Sequence, residues 1–185
     1  MTVPDSLSYD PAGLRTLILV GFMGAGKTSV GRALGARLGW EFVDLDDWIA
    51  ARSERSVEQI FAESGEPEFR RLEVAAVREL LRGPVSRRVI ALGGGAFAHS
   101  DVIRLVAESG AVTVFLDAPV DELYRRCGDD QKQRPLKTDM QQFCNLYGKR
   151  RSAYERAYLR IDTSGKDIDT VATEVACGLG VGTLK

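Results

Sequence analysis

Gly21-Phe-Met-Gly-Ala-Gly-Lys-Thr28 is the stretch on which the reading of this chain turns. It satisfies G-x-x-x-x-G-K-[ST] at every fixed position. Glycines let the backbone turn so that successive N–H groups face inward and cradle phosphate oxygens. A helix beginning directly afterwards aims its positive end at the same anion. Lys27 supplies a mobile cation to the β- and γ-phosphates, and the Thr28 hydroxyl is a candidate Mg²⁺ ligand. The flanks agree with this reading. An apolar run at 17–20 reads as a buried strand, and Val30, Leu34 and Leu38 share one face of a helix over 29–38. The plain alternative is a glycine-rich turn that binds nothing. Gly24, an extra glycine inside the motif, adds little to the case on its own.

Working outward, apolar strand patterns recur at 41–45, 89–92, 112–116 and 158–161. Helical patterns lie between them. One opens at Ser56, whose spacing to Gln59 is a capping box, and runs through Ile60 and Phe61. Others cover 66–81, 101–108, 120–126, 140–157 and 168–179. Strand–helix alternation of this kind predicts an α/β protein: a three-layer, five-stranded parallel sheet with helices on both faces. Ligands of such sheets bind beyond the carboxyl ends of the strands, so the residues that follow strands carry the information.

The chain has 185 residues, 25 of them Lys or Arg against 26 Asp or Glu, for a net charge of −1. A chain this close to neutral has no general electrostatic grip on nucleic acid. No apolar run reaches the ~18 residues of a membrane span. Cys127, Cys144 and Cys177 are too scattered for a disulfide framework or zinc site. Residues 1–13 lack the apolar core of a secretory signal and read as a flexible tail, and the expected compartment is the cytoplasm. The charge is unevenly distributed. Residues 125–160 hold ten basic residues and four acids, so this window carries +6 and the remainder −7. A segment that closes over an anion would have this character.

Val43-Asp-Leu-Asp-Asp47 places acids after the second strand. On extended backbone Asp44 and Asp46 would point the same way. One carboxylate would hold Mg²⁺ through its water shell, and the other would accept a proton from an attacking hydroxyl. Helix capping is the alternative, with Asp47 nearer to that role than Asp46. Asp117 ends the strand at 112–116 and competes for the metal. Asp117-Ala-Pro is also a good helix start, and a cap is the preferred reading.

Arg70 and Glu73 lie three apart on a helix and can pair; a planar guanidinium there also suits a carboxylate ligand. Gly93-Gly94-Gly95 after a strand implies a close backbone approach or positive φ, and a backbone wall against a compact substrate would explain it. Arg134, in Gln133-Arg-Pro-Leu136, lies on a polar stretch from which an arginine can swing onto a transferring phosphoryl group. His99 is read as incidental. Phe61, Phe69, Trp40 and Trp48 are read as packing residues.

Taken together, these segments resemble the shikimate kinases from about residue 17 to 179. The resemblance lies in GFMGAGKTSVGRALG, FVDLDDWI, SVEQIFAESGEPEFRRLE, IALGGGA, VFLDAP, QRPL and a late basic cluster ending at Tyr154. The likeness implies a small nucleoside-monophosphate-kinase-like domain over 14–185, with a substrate-binding helical region at about 46–81 and a lid at about 127–138. It implies Mg²⁺-dependent transfer of the γ-phosphoryl of ATP to the 3-hydroxyl of shikimate, a step of aromatic amino-acid (chorismate) biosynthesis. By the same likeness Gly24, Ala25, Gly26, Lys27, Thr28 and Ser29 hold ATP phosphates, and Thr28 also holds the metal. Asp44 sits behind the metal's water shell, and Asp46 binds and activates the substrate hydroxyl. Arg70 and Arg150 clamp the substrate carboxylate, and Gly94 meets the substrate through backbone. Arg134 is the lid arginine on the phosphates, and Arg126 lies near adenine.

Two departures stand out. Lys137 follows Leu136 where the family often has leucine. Arg150-Arg-Ser-Ala-Tyr154 lacks a proline common there, which leaves Arg151 a rival to Arg150; the spacing to Tyr154 prefers Arg150. The expected partners are ATP and shikimate, with neither nucleic acid nor membrane, and the expected state is a monomer. The alternative enzyme is a related kinase of another polyol acid such as gluconate. A catalytically silent nucleotide-binding protein is the alternative outside enzymes.

Overall fold

Five strands form one sheet in the order β2-β3-β1-β4-β5, and every neighbouring pair is parallel. The computed structural model describes residues 11–83, 87–129 and 139–182. Arg134, Lys137 and most of the stretch read as a lid lie outside the described residues, as do residues 1–10. Pro11–Gly13, the end of the stretch read as a tail, form a short 3-10 turn.

The strands are β1 (Thr16–Val20), β2 (Glu41–Asp44), β3 (Arg88–Ala91), β4 (Val112–Asp117) and β5 (Leu159–Asp162). β1, flanked on both sides, buries Leu17, Ile18 and Leu19 completely. All six residues of β4 are buried. Such continuous burial is what a strand covered on both faces shows.

The helices are α1 (Lys27–Leu38), α2 (Leu45–Ser53), α3 (Val57–Arg82), α4 (Ser100–Ser109), α5 (Val120–Asp129), α6 (Met140–Tyr154) and α7 (Ile168–Gly178). Parallel connections are right-handed. The step from β1 to β2 runs toward one edge of the sheet, and every later step runs toward the other. α1 therefore lies on one face, where α7 packs against it, and α3 and α4 pack together on the opposite face. The loops leaving the adjacent strands β1 and β3 diverge, and a ligand crevice opens between them.

Several local readings hold in detail. Ser56 Oγ accepts the Gln59 N–H at 3.2 Å, and Gln59 Oε1 accepts the Ser56 N–H at 2.7 Å, which completes the capping box. The helical patterns at Ser56 and at 66–81 are one long segment, broken at Gly65 with φ 76° and ψ 175°. Phe61 and Phe69 pack across that break with ring centroids 4.7 Å apart.

Other readings need correction. The helix α2 has no strong apolar stripe and is not foreseen by periodicity. It is capped by Asp44, whose carboxylate accepts the Asp46 N–H at 3.1 Å, and not by Asp46 or Asp47. Asp117 does not cap α5. Its carboxylate is buried at the end of β4, where it meets Tyr147, Arg151 and Arg160. His99 has a local function as the cap of α4, its Nδ1 accepting the Asp101 N–H at 3.4 Å. Among the described residues, no helix is long and apolar enough to cross a membrane.

Candidate active site

The loop after β1 turns through residues 21–26 and delivers Lys27 to the first position of α1. Lys27 Nζ donates to the Phe22 carbonyl at 2.9 Å, so the ammonium folds back over the loop it belongs to. Gly24 proves indispensable to this shape, contrary to the small weight its sequence position suggests. Its φ is +79°, and a Cβ there would lie 2.5 Å from the Leu123 carbonyl oxygen of α5. Any side chain would be both strained and in collision. A cleft of about 210 Å³ beside the loop is lined by Gly24, Gly26, Ser29, Arg126, Lys166 and Asp167. Ala25 lines the same cleft. Arg126 is fixed at its rim. Its guanidinium donates to Glu122 Oε1 at 2.6 Å, and to the Thr163 hydroxyl and carbonyl at 2.9 and 2.8 Å.

Thr28 and Asp44 come together as the resemblance implies. The Thr28 hydroxyl donates to Asp44 Oδ2 at 2.7 Å. Asp44 and Asp46 nevertheless do not extend in the same direction from one strand, because the backbone turns helical at Leu45. Asp44 faces the phosphate loop. Asp46 is carried into the first turn of α2 and faces the loop after β3. There a Cβ on Gly93 would lie 2.8 Å from Asp46 Oδ1 and 3.1 Å from Glu73 Oε1.

Gly93-Gly94-Gly95 has a reason that the sequence does not show. None of the three has a positive φ. What approaches them is the chain's own charged side chains. A Cβ on Gly95 would stand 2.7 Å from both terminal nitrogens of Arg70. The Gly94 carbonyl accepts the Tyr154 hydroxyl, and also Arg150 Nη1 at 3.3 Å. Burial raises the pKa of Tyr154, which keeps its hydroxyl a donor. The glycines make room for two arginines and two carboxylates in one place.

Arg70 is held by acids one turn before and one turn after it on the same face of its helix. It donates to Glu66 Oε1 at 2.9 Å, and it pairs with Glu73 Oε2. Glu73 is only 1% exposed. Burial pushes its pKa up, Arg70 pulls it down, Asp46 pushes it up again, and Arg150 opposes that. Glu73 is the residue that sequence reading undervalued. An acid three residues from a clamp arginine is ordinary on a helix surface, whereas here Glu73 is buried with the loop after β3 close against it.

A larger cleft of about 910 Å³ is lined in part by Arg70, Gly95, His99 and Arg150. Arg150 from α6 thus joins Arg70 from α3 in one cavity. Arg151 does not line it; it bonds to Glu155 at 2.7 Å, to Asp117 at 3.2 Å and to Tyr147. The structure thus separates the two rivals. α6 also touches the phosphate loop, since the Phe22 ring lies 4.9 Å from Phe143 and 5.4 Å from Tyr147, both edge to face.

The arrangement has a phosphate cradle at one end, two guanidinium groups at the other, and carboxylates between. A family model described as shikimate kinase matches residues 23–178. The shikimate kinase of Geobacter metallireducens is 41% identical over 167 residues, covering 89% of this chain and 92% of that protein. The structure of a shikimate kinase from Acinetobacter baumannii in complex with shikimate superposes with a TM-score of 0.84 at 30% identity, covering 94% of this chain and 97% of that one. A gluconokinase from Sinorhizobium meliloti is similar at a TM-score of 0.60 and 18% identity, covering 89% of this chain and 91% of that one, which is a likeness of fold alone.

Proposed function

The chain belongs to the shikimate kinase family, and we infer from that membership and the site's geometry that it transfers the γ-phosphoryl group of ATP to the 3-hydroxyl of shikimate. The products are shikimate 3-phosphate and ADP, a step of chorismate biosynthesis. The observation that carries this reading is the meeting of Arg70 and Arg150 in one cleft beside Gly95, with Asp46 over the neighbouring Gly93. A rigid ring can then present its carboxylate to the arginines and its hydroxyls to Asp46 at the same time.

Phosphoryl transfer is catalysed mainly by positioning and charge stabilisation. Gly24, Ala25, Gly26, Lys27, Thr28 and Ser29 hold the phosphates of ATP, and Arg126 with its neighbours borders the nucleoside. Lys27 follows the charge that develops on the transferring group. Asp46 orients the attacking hydroxyl and takes its proton. Arg70 and Arg150 hold the carboxylate at two points, and the backbone at Gly94 forms the wall. Arg134 is the cation brought in by the lid at about 127–138, and residues 46–81 form the substrate-binding region of a domain over 14–185.

The donor set suits Mg²⁺, which keeps several waters and the nucleotide's own oxygens and needs little from the protein. Thr28 would hold it, with Asp44 behind its water shell, and the ion would neutralise charge on the phosphates. The near pairing of Thr28 and Asp44 at 2.7 Å supports that assignment. A monomer in the cytoplasm is the state in which we expect the enzyme to act, because two small ligands can be enclosed by one chain.

ADP release measured by a coupled assay across shikimate, gluconate and a few cyclitols tests this reading. Turnover is expected with shikimate. Turnover of gluconate or a cyclitol in its place would overturn it, and so would no turnover at all.

A further inference from the structure

Asp117, the last residue of β4, is 3% exposed. A buried carboxylate stays charged only where cations and hydrogen bonds replace its hydration. Here three side chains do so. Oδ1 accepts the Tyr147 hydroxyl at 2.9 Å. Oδ2 accepts Arg151 Nη2 at 3.2 Å, and Arg160 Nη2 stands 2.7 Å from it. Two of the three, Tyr147 and Arg151, belong to α6.

The same helix carries Arg150. Arg151 is its neighbour in sequence, Tyr147 lies about one turn before it, and Tyr154 lies about one turn after it. Tyr154 and Arg150 both reach the Gly94 carbonyl. The helix is thus fastened at two places, to the end of β4 through Asp117 and to the loop after β3 through Gly94. Arg150 lies between the two fastenings.

The backbone of Asp117 faces the other way. Its carbonyl accepts the Thr163 N–H at 2.8 Å and the Thr163 hydroxyl at 3.1 Å. Thr163 in turn receives both terminal nitrogens of Arg126. One residue therefore serves the acid end with its side chain and the nucleotide end with its main chain.

We propose that Asp117 is a positioning residue that aims Arg150 at the substrate carboxylate, acting through Tyr147 and Arg151. The proposal rests on the reading of Arg150 as an acid clamp. Without the carboxylate, Arg151 and Arg160 lose their shared counterion beside Arg150, and of its two polar fastenings α6 keeps the one at Gly94, with its ring contacts to Phe22. The loss falls on binding of the acid, because Asp117 acts on the orientation of a binding group. The link to Thr163, and through it to Arg126, starts from the main-chain carbonyl of Asp117 and survives a substitution of its side chain.

The test is steady-state kinetics of Asp117→Asn in the full chain. Asparagine keeps an oxygen for Tyr147 and removes the charge that holds the arginines. The KM for shikimate is expected to rise about tenfold, with kcat within about threefold and the KM for ATP within about twofold. Equal rises in both KM values would mean a general lesion at the end of β4 and would overturn the proposal, as would an unchanged KM for shikimate.

Tyr147→Phe is the milder companion should Asp117→Asn fail to fold. It removes one hydroxyl, and the same split is expected at about twofold to threefold; a KM for shikimate unmoved in this variant would count against the proposal. In Asp117→Asn/Arg151→Gln the effects should not multiply, since Arg151 acts through Asp117. Multiplying effects would place Arg151 on the substrate itself and overturn the proposal. Wild-type turnover separates the two readings. A wild type inactive on shikimate sinks the proposed function, whereas an active wild type with unaltered variants sinks only the role of Asp117.

Discussion

The two ends of the active site are built by opposite strategies. The nucleotide end is built around one contiguous loop and the start of one helix, with Arg126 added from α5. The acid end gathers Arg70 from α3, the glycines after β3, and Arg150 from α6, which are far apart in sequence. A contiguous site depends on backbone conformation, so a single misplaced Cβ can spoil it. A gathered site depends on charged side chains held in register by their counterions, so it is sensitive to substitutions that change a charge. The comparison predicts that lesions at either end have distinct kinetic signatures.

The largest effect is expected where the two ends meet. Asp46→Asn should lower kcat by roughly 10²–10⁴, the range for losing a general base, and change the KM for ATP little. Comparable turnover in that variant would remove Asp46 from the chemistry. At the acid end, Arg70→Met should raise the KM for shikimate about 10–100-fold, with the KM for ATP nearly constant. This variant also leaves Glu73 buried without its arginine, so a thermal melt should show destabilisation. A matching rise in the KM for ATP would show that the ends are not separable.

At the nucleotide end the expected change is smaller and of the other kind. Gly24→Ala puts a methyl group against the Leu123 carbonyl and forces a φ of +79° on a residue that resists it. The KM for ATP should rise several-fold, the KM for shikimate should hold, and stability should fall by about 1–3 kcal/mol. Normal ATP kinetics in this variant would deny that the loop is set by its backbone.

Glu73 gives a subtler test on the acid end. Its native pKa is raised above 4.5, chiefly by burial. The folded protein therefore holds that proton to higher pH than the unfolded chain does, and stability must fall as pH rises from about 4.5 through the native value. Glu73→Gln lacks that slope. Melting temperatures measured against pH should show the wild type losing ground to the variant over that window, and parallel curves would contradict the burial argument.

These contrasts also explain what could be read from the sequence. The sheet, the phosphate loop and the capping box are local patterns, and each survived nearly to the residue. Arg70, Asp46 and Arg150 were assignable through the family likeness, and the structure brings them around one loop. What escaped was whatever depends on another part of the chain. Gly24 is required by α5, about a hundred residues later. The triple glycine reads as a wall for substrate, and only the fold shows that it also leaves space for Arg70, Asp46 and Glu73. Asp117 had the local signature of a helix cap, and its partners on α6 and β5 lie beyond any local window. The Asp44 and Asp46 pair reads as extended backbone because the weakly patterned α2 gives no sign of starting at Leu45.

The smallest expected effect is a control on the whole comparison. Ser56 caps the first half of α3, whose second half carries Arg70 and Glu73. Ser56→Ala removes one of the two capping hydrogen bonds, and stability should fall by about 1 kcal/mol. Helical hydrogen bonding is interrupted at Gly65, where φ is 76° and ψ is 175°. Loosening at the cap therefore has no continuous ladder along which to reach Arg70, which is held separately by Glu66, Glu73 and the packing over Gly95. Both KM values should stay within about twofold of wild type while the melting temperature drops. If the KM for shikimate rises instead, α3 acts as one rigid rod despite its break, and the sensitivity of the acid end reflects general stability and not the register of its charges.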